Sequence, residues 1–409
     1  MSVWPTLFVV ANSRQQRKQY STIRNELAAI RHLQVWERLE DRDLLAEFAE
    51  QRFLTLGDIE SLRDHCYRDA IDLKRYLGRV PNLSVIELAA PINAVSLQSV
   101  RKSHAYNRLT VCAKYLYFCA VTLLRTRPNA GALASRAKEM REQLLASRPK
   151  GKNTRSGLAV HPAPQHFDEF MALVAEDSPD NPFRSPQVRK RNWVMFQILF
   201  ETGMRSGELL GLYVGDVLYD SDGDPIIRIK DRRDDRNDPR PFAPQVKTLE
   251  RELPISQVLY ETIQDYISKV RYHTPNALKH PFLFVNHRRD SFQGAPLGDR
   301  NFQSELKRAV AVRPDRLADI RRHGFRHNFN VRLTYQMDIY SAGGNPLTEQ
   351  QRLDMRKSMN GWDGDKTGEI YERGAIQRKA MKAGRSLQDK QSSVLKRALS
   401  KARRVDVGD

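Results

Sequence analysis

Only three cysteines, Cys66, Cys112 and Cys119, occur in 409 residues. That is too few and too scattered for a disulfide framework or a thiolate metal site. Cys112 and Cys119 fall on a seven-residue seam with Ala105, Leu109, Leu116 and Leu123, the pattern of a buried helical stripe. They read as core thiols in a reducing compartment. Long apolar runs are also missing. The start, MSVWPTLFVVANSRQQRKQY, has an apolar patch too short to span a bilayer and no basic segment ahead of it. The expectation is a cytoplasmic protein, nucleoid-associated in a bacterium, with no membrane partner. The chain has no glycine-rich phosphate loop, no cluster with metal-ligand spacing and no internal repeat, so neither a cofactor nor a metal is expected.

Acidic residues are scarce. Asp and Glu number 49 against 68 Lys and Arg, a formal charge of +19. An excess of that size predicts a polyanionic partner, because neutralising phosphates releases condensed counterions. Hydrophobic residues make up 40% of the chain, enough to bury real cores. The length exceeds what one core usually supports, so two domains are expected.

Residues 1–146 read as a helical domain. One helix, from about Arg14 to Leu39, sets Ile23, Leu27 and Ile30 on one face and Arg17, Arg24, Arg31 and Arg38 on the other, one arginine every seven residues. The stripe suits a DNA backbone. It equally suits a solvated face, since Glu26, Glu37 and Glu40 are interspersed. A second helix starts after Thr55, with Asp58 completing a capping box. A third runs from about Ser103 to Leu124 and a fourth from about Ala132 to Ala146. Residues 147–160, including SRPKGKNTRSG, form a basic linker, and residues 161–385 a mixed domain. In the latter, Ser185-Pro186 opens an apolar helix. PIIRIK is a strand, DRRDDRNDPRP a polar excursion, and a further strand pair is expected around Val246 and Leu253. Helices follow from about Ser256. Residues 386–409 are a basic tail.

Three segments carry chemistry. In Glu201-Thr-Gly-Met-Arg-Ser-Gly-Glu-Leu-Leu-Gly-Leu212, Gly203 breaks one helix and Arg205 opens the next, with Glu208 one turn on to orient the guanidinium. In His323-Gly-Phe-Arg326-His327, histidine and arginine share a helical face, one suited to proton transfer and the other to gripping a phosphate oxygen. The third is Asn360-Gly-Trp-Asp-Gly-Asp-Lys-Thr-Gly-Glu-Ile-Tyr371, where Asn360-Gly361 ends a helix. Together these residues suit activation of one phosphodiester.

The three segments resemble the boxes of the tyrosine recombinases, also called the phage integrase family. The resemblance is strong from about His161 to Arg385 and looser in the N-terminal helices. It implies a mainly α protein with a small β-sheet in the catalytic domain. A helical core-binding domain and an α+β catalytic domain would make a two-domain clamp. Arg205 and Arg326 become the clamps of the scissile phosphate, His323 the acid/base, His327 a supporting residue and Tyr371 the nucleophile. Trp362 stands where histidine is commoner; its indole N–H donates but cannot shuttle a proton, which makes it a stabiliser. The order Lys247, Thr248, Arg251, Leu253-Pro254 matches the family's β-hairpin, which makes Lys247 a proton donor to the leaving oxygen.

The implied activity is site-specific cleavage and rejoining of double-stranded DNA through a 3′-phosphotyrosyl intermediate, integrating, excising or transposing a mobile element. The implied assembly is a homotetramer built from dimers on DNA, with accessory DNA-bending proteins as possible partners. From Arg378 to the end there are ten basic and three acidic residues. That tail either docks on a neighbouring protomer or is simply basic. The alternatives are a catalytically retired DNA-binding regulator and a type IB topoisomerase-like enzyme.

Overall fold

The structure, a computed structural model, describes residues 3–14, 20–79, 98–149, 162–232, 235, 238–240, 244, 246, 248–344 and 346–364. Contacts divide the chain into two units, Met1–Gly157 and Leu158–Asp409.

The described part of the first unit is helical. It comprises α1 (Val3–Val9), α2 (Tyr20–Leu39), α3 (Leu44–Ala49), α4 (Leu56–Tyr67), α5 (Ala70–Arg79), α6 (Lys102–Leu124) and α7 (Ala130–Ala146). Asp43 caps α3, and Thr55 with Asp58 makes the expected capping box on α4. The five residues between α6 and α7 force an antiparallel pair. Ala105, Leu109, Cys112, Leu116 and Cys119 form its buried seam, and the small Ala113 and Ala120 let neighbours approach closely. All three cysteines are buried and free.

The α2 register differs from expectation. Ala29, Ile30, Leu33 and Trp36 are buried, while Leu27 is 39% exposed. The buried stripe therefore sits one position away from the expected triplet, because Trp36, with its indole donating to Ser61, fixes the side that meets α4.

Under this stripe lies a histidine pair. The Nε2 of His32 lies 3.0 Å from the His65 carbonyl and 3.2 Å from Arg108 Nη1, and the Nε2 of His65 lies 3.0 Å from the His32 carbonyl. Carbonyls only accept, so His65 carries its proton on Nε2. Arg108 donates to the Cys66 and Arg68 carbonyls beside them. Burial, then the Arg108 charge, pushes His32 down to about 4; burial, then His32, takes His65 to about 3. The unfolded chain therefore binds more protons below the ordinary histidine pKa. Stability is full above that value and is lost as pH falls toward the folded ones. Each ring is expected to remove roughly 2 kcal/mol between about pH 7 and pH 5. Urea unfolding of the first unit should register it, and His65→Gln, neutral throughout, should flatten about half of the dependence.

The second unit is mixed. It contains α8 (Pro164–Val174), α9 (Pro186–Thr202), α10 (Ser206–Leu210), β1 (Val217–Tyr219), β2 (Pro225–Ile229), β3 (Arg251–Pro254) and α11 (Gln257–Tyr266). After these come α12 (Asp299–Val310), α13 (Pro314–Leu317), α14 (Arg322–Ala342) and α15 (Glu349–Asn360). Ser185 caps α9 with proline in its first turn. The three strands form an antiparallel sheet in sequence order, pairing Val217 with Ile227 and Ile227 with Leu253. Val246 is buried but lies in no strand, so the expected strand pair is reduced to β3 alone. Ile227, Ile229 and Leu253 join Leu259 and Ile263 of α11 in one core. No helix among the described residues is long and apolar enough to cross a membrane.

The polar excursion between β2 and β3 is anchored to the body. Arg232 lies 3.9 Å from the Tyr213 ring centre and pairs with Asp216. Arg240 covers Phe282 and donates to the Leu210 and Leu297 carbonyls. Tyr213 and Phe282 meet edge to face, so both arginines fasten onto one aromatic step.

Candidate active site

The site is assembled from four stretches of the second unit. The first is the turn after α9. Gly203 has φ 62°, and a Cβ there would lie 2.6 Å from the Phe329 ring. Only glycine admits both the left-handed backbone and this approach to α14. The turn delivers Arg205 to the N-terminus of α10. Its backbone N–H donates to Glu208 at 3.0 Å and its Nη1 at 3.4 Å.

Glu208 is the hub of the site. Its side chain is fully buried, while that of Arg205 remains 26% exposed. Thr248 Oγ1 donates to it at 2.6 Å and Arg251 Nη2 at 2.8 Å. Burial alone would push this carboxyl up. The Arg251 charge, hydrogen bonds from Arg251 and Thr248, and the Arg205 N–H outweigh it and hold the group below its ordinary value.

Arg251 continues from β3 to the end of α15. Its Nε donates to the Met359 carbonyl at 3.1 Å, and Arg326 Nη2 donates to the next carbonyl, Asn360, at 2.6 Å. Helices end in carbonyls without intrahelical partners, and here two guanidiniums supply the donors. Gly361, at φ 63°, closes the helix; a Cβ there would lie 2.7 Å from Arg251 Nη1. Its carbonyl accepts from the Leu249 N–H. Segments far apart in sequence are thus stitched together around α15's last turn.

Arg326 ties in the remaining stretch. It is 4% exposed, and its Nη1 donates to the Gly203 carbonyl at 3.3 Å. Its guanidinium carbon lies 5.4 Å from the centre of the buried Trp362 ring. The residues between the box positions explain this placement. Phe325 is fully buried, stacked on Phe196 and edge-on to Phe167 and Phe170. Gly324 leaves room for Phe167, which would sit 3.0 Å from a Cβ. The aromatic plug fixes the rotation of α14's first turn, and with it the side on which His323 and Arg326 lie.

Arg205, Glu208, Arg326 and Trp362 are therefore joined by direct contacts or by one shared backbone turn. His323 is exposed in the first turn of α14, and His327 is half-buried one turn on. Arg24, Arg31 and Arg38 are exposed on α2 of the first unit. Lys247, Tyr371 and Arg17 lie outside the described residues, as do residues 386–409 and most of the 147–160 linker. Among the described residues no group of three acidic, histidine or cysteine side chains could hold a metal.

Sequence reasoning missed two members. Arg251 figured only as a landmark in the spacing around Lys247. Asn330 was overlooked, although it exchanges two 3.0 Å amide hydrogen bonds with Asn360 and so locks α14 to α15. Its signal was its place one helical turn beyond Arg326, on the same face.

Residues 168–339 match the model of the phage integrase family. That segment is a phage integrase family domain. The tyrosine recombinase XerD of Halalkalibacterium halodurans is 29% identical over 168 residues, 41% of this chain and 46% of that protein. The chain thus matches less than half the length of this curated relative. Among solved structures, XerA recombinase is 16% identical with a TM-score of 0.35, over 93% of this chain and 97% of that one. The Tn1549 transposon integrase, solved with circular intermediate DNA, is 13% identical with a TM-score of 0.45, over 92% and 99%. Within this integrase domain the match ends at residue 339, so α15, Trp362 and Tyr371 lie beyond it.

Proposed function

We propose that this chain is a site-specific DNA recombinase, cleaving and rejoining strands through a 3′-phosphotyrosyl intermediate to integrate, excise or transpose a mobile element. The observation that carries the reading is the linking of Arg205 and Arg326 to the last turn of α15, Arg326 directly through the Asn360 carbonyl and Arg205 through Glu208 and Arg251. Two preorganised guanidiniums are suited to the charge that builds on a pentacoordinate phosphate. The Tyr371 oxygen attacks phosphorus and gives up its proton to a neighbouring base. The bond to the 5′ oxygen breaks, and that oxygen takes a proton from Lys247 or His323. The ester conserves the bond energy, so a second 5′-hydroxyl reverses the step without a nucleotide. Trp362 backs Arg326, and Glu208 and His327 support the clamps.

In this reading residues 1–146 form a DNA-binding domain whose Arg17, Arg24, Arg31 and Arg38 follow the backbone. The linker at 147–160 joins it to a catalytic domain at 161–385. Four copies assemble on DNA as paired dimers, helped by DNA-bending proteins, with residues 386–409 available to a neighbouring protomer.

The test is incubation of the full chain with a nicked duplex carrying a site that the chain itself enriches from a random library. A covalent adduct on the 5′-labelled strand, resistant to denaturation, is expected. Tight binding on that site with no adduct would instead favour a DNA-binding regulator.

A further inference from the structure

We propose that Arg251 is a positioning residue for Arg205, acting through the buried carboxylate of Glu208. The inference rests on the reading of Arg205 as a phosphate clamp. Arg205 reaches both oxygens of Glu208, its Nη1 donating to Oε1 at 3.4 Å and its backbone N–H to Oε2 at 3.0 Å. Arg251 donates to the same Oε2 at 2.8 Å, its own side chain 6% exposed against 26% for Arg205. The charged and polar groups facing Glu208 among the described residues are Arg205, Arg251 and Thr248. Of these, the Arg251 charge is the largest influence opposing the burial that would neutralise the carboxyl.

Removing Arg251 has a specific consequence. A buried carboxyl that loses its counter-charge takes up a proton at higher pH. Protonated Glu208 no longer attracts the Arg205 guanidinium, which then has no fixed direction toward the phosphate. Arg251 also joins Glu208 to the Met359 carbonyl, so the same loss loosens α10 from α15. Lysine at this position keeps the charge, but a single ammonium cannot span Glu208 and Met359 together.

The experiment is single-turnover adduct formation by the full chain on the enriched nicked duplex, from about pH 5.5 to about pH 9. Arg251→Gln is expected to fall roughly 100-fold at neutral pH and to recover as pH rises and Glu208 ionises. Glu208→Gln should be slow and flat across the range. Arg251→Lys should be about 10-fold slow with a wild-type profile. A profile for Arg251→Gln parallel to wild type would overturn the proposal, since a merely structural prop predicts that shape. If thermal melting shows Arg251→Gln unfolded, Arg251→Lys carries the test, and a wild-type rate in it would overturn the proposal. No adduct with the wild-type chain counts against the recombinase reading itself, which separates the two failures.

Discussion

Replacing Tyr371 by phenylalanine is expected to abolish the covalent adduct while leaving DNA affinity within about two-fold of wild type. The substitution keeps the ring and removes one oxygen, the proposed nucleophile. A missing nucleophile in a concerted site costs roughly a million-fold in rate, far below gel detection. The chain has 14 tyrosines, so rivals must be weighed. Tyr335 and Tyr340 are 65% and 54% exposed on α14, the helix that carries His323 and Arg326. Tyr335 lies twelve residues from His323, about 18 Å along the axis, too far to attack a phosphate gripped at the first turn. Tyr335→Phe should therefore form adduct at the wild-type rate. An adduct surviving in Tyr371→Phe, mapped to another residue by peptide mass, would remove Tyr371 from the mechanism.

Much of the site was legible because its residues sit in local frames with sharp sequence signals. Gly203 marks a left-handed turn and Asn360-Gly361 a helix end; each depends on residues adjacent in sequence. The Arg205–Glu208 pair follows from one helical turn. The role of Arg251 did not follow, because its partners Glu208 and Met359 lie 43 and 108 residues away. A strand arginine three residues after a threonine resembles any surface pair until tertiary packing removes it from water. The register of α2 failed for a related reason. Ile23, Leu27 and Ile30 are one acceptable apolar stripe, but Glu26 and His32 lie on the buried side, where a count of apolar residues cannot see them. Polar groups that a fold buries and satisfies are those a periodicity argument discards.

The second large effect is expected at Arg326, where chemistry and architecture fall on one side chain. Arg326→Ala should slow adduct formation about 1,000-fold, the loss of one preorganised donor at the charge-bearing phosphate. The same substitution leaves the Gly203 and Asn360 carbonyls without their buried donor and opens a cavity beneath Trp362, at about 2–4 kcal/mol of stability. The two losses separate by comparing variants. Arg326→Lys retains a positive charge against the indole face but reaches only one of the carbonyls, so most of the stability loss should persist while part of the rate returns. Asn330→Leu cuts the amide pair between α14 and α15 without touching the guanidinium. It should lower the melting temperature and leave the rate, measured well below that temperature, within about ten-fold. A folded Arg326→Ala with the wild-type rate would mean that this arginine only caps α15. The phosphate would then be held by Arg205 with a different partner, and His323, exposed on the same turn, would be the first residue to substitute next.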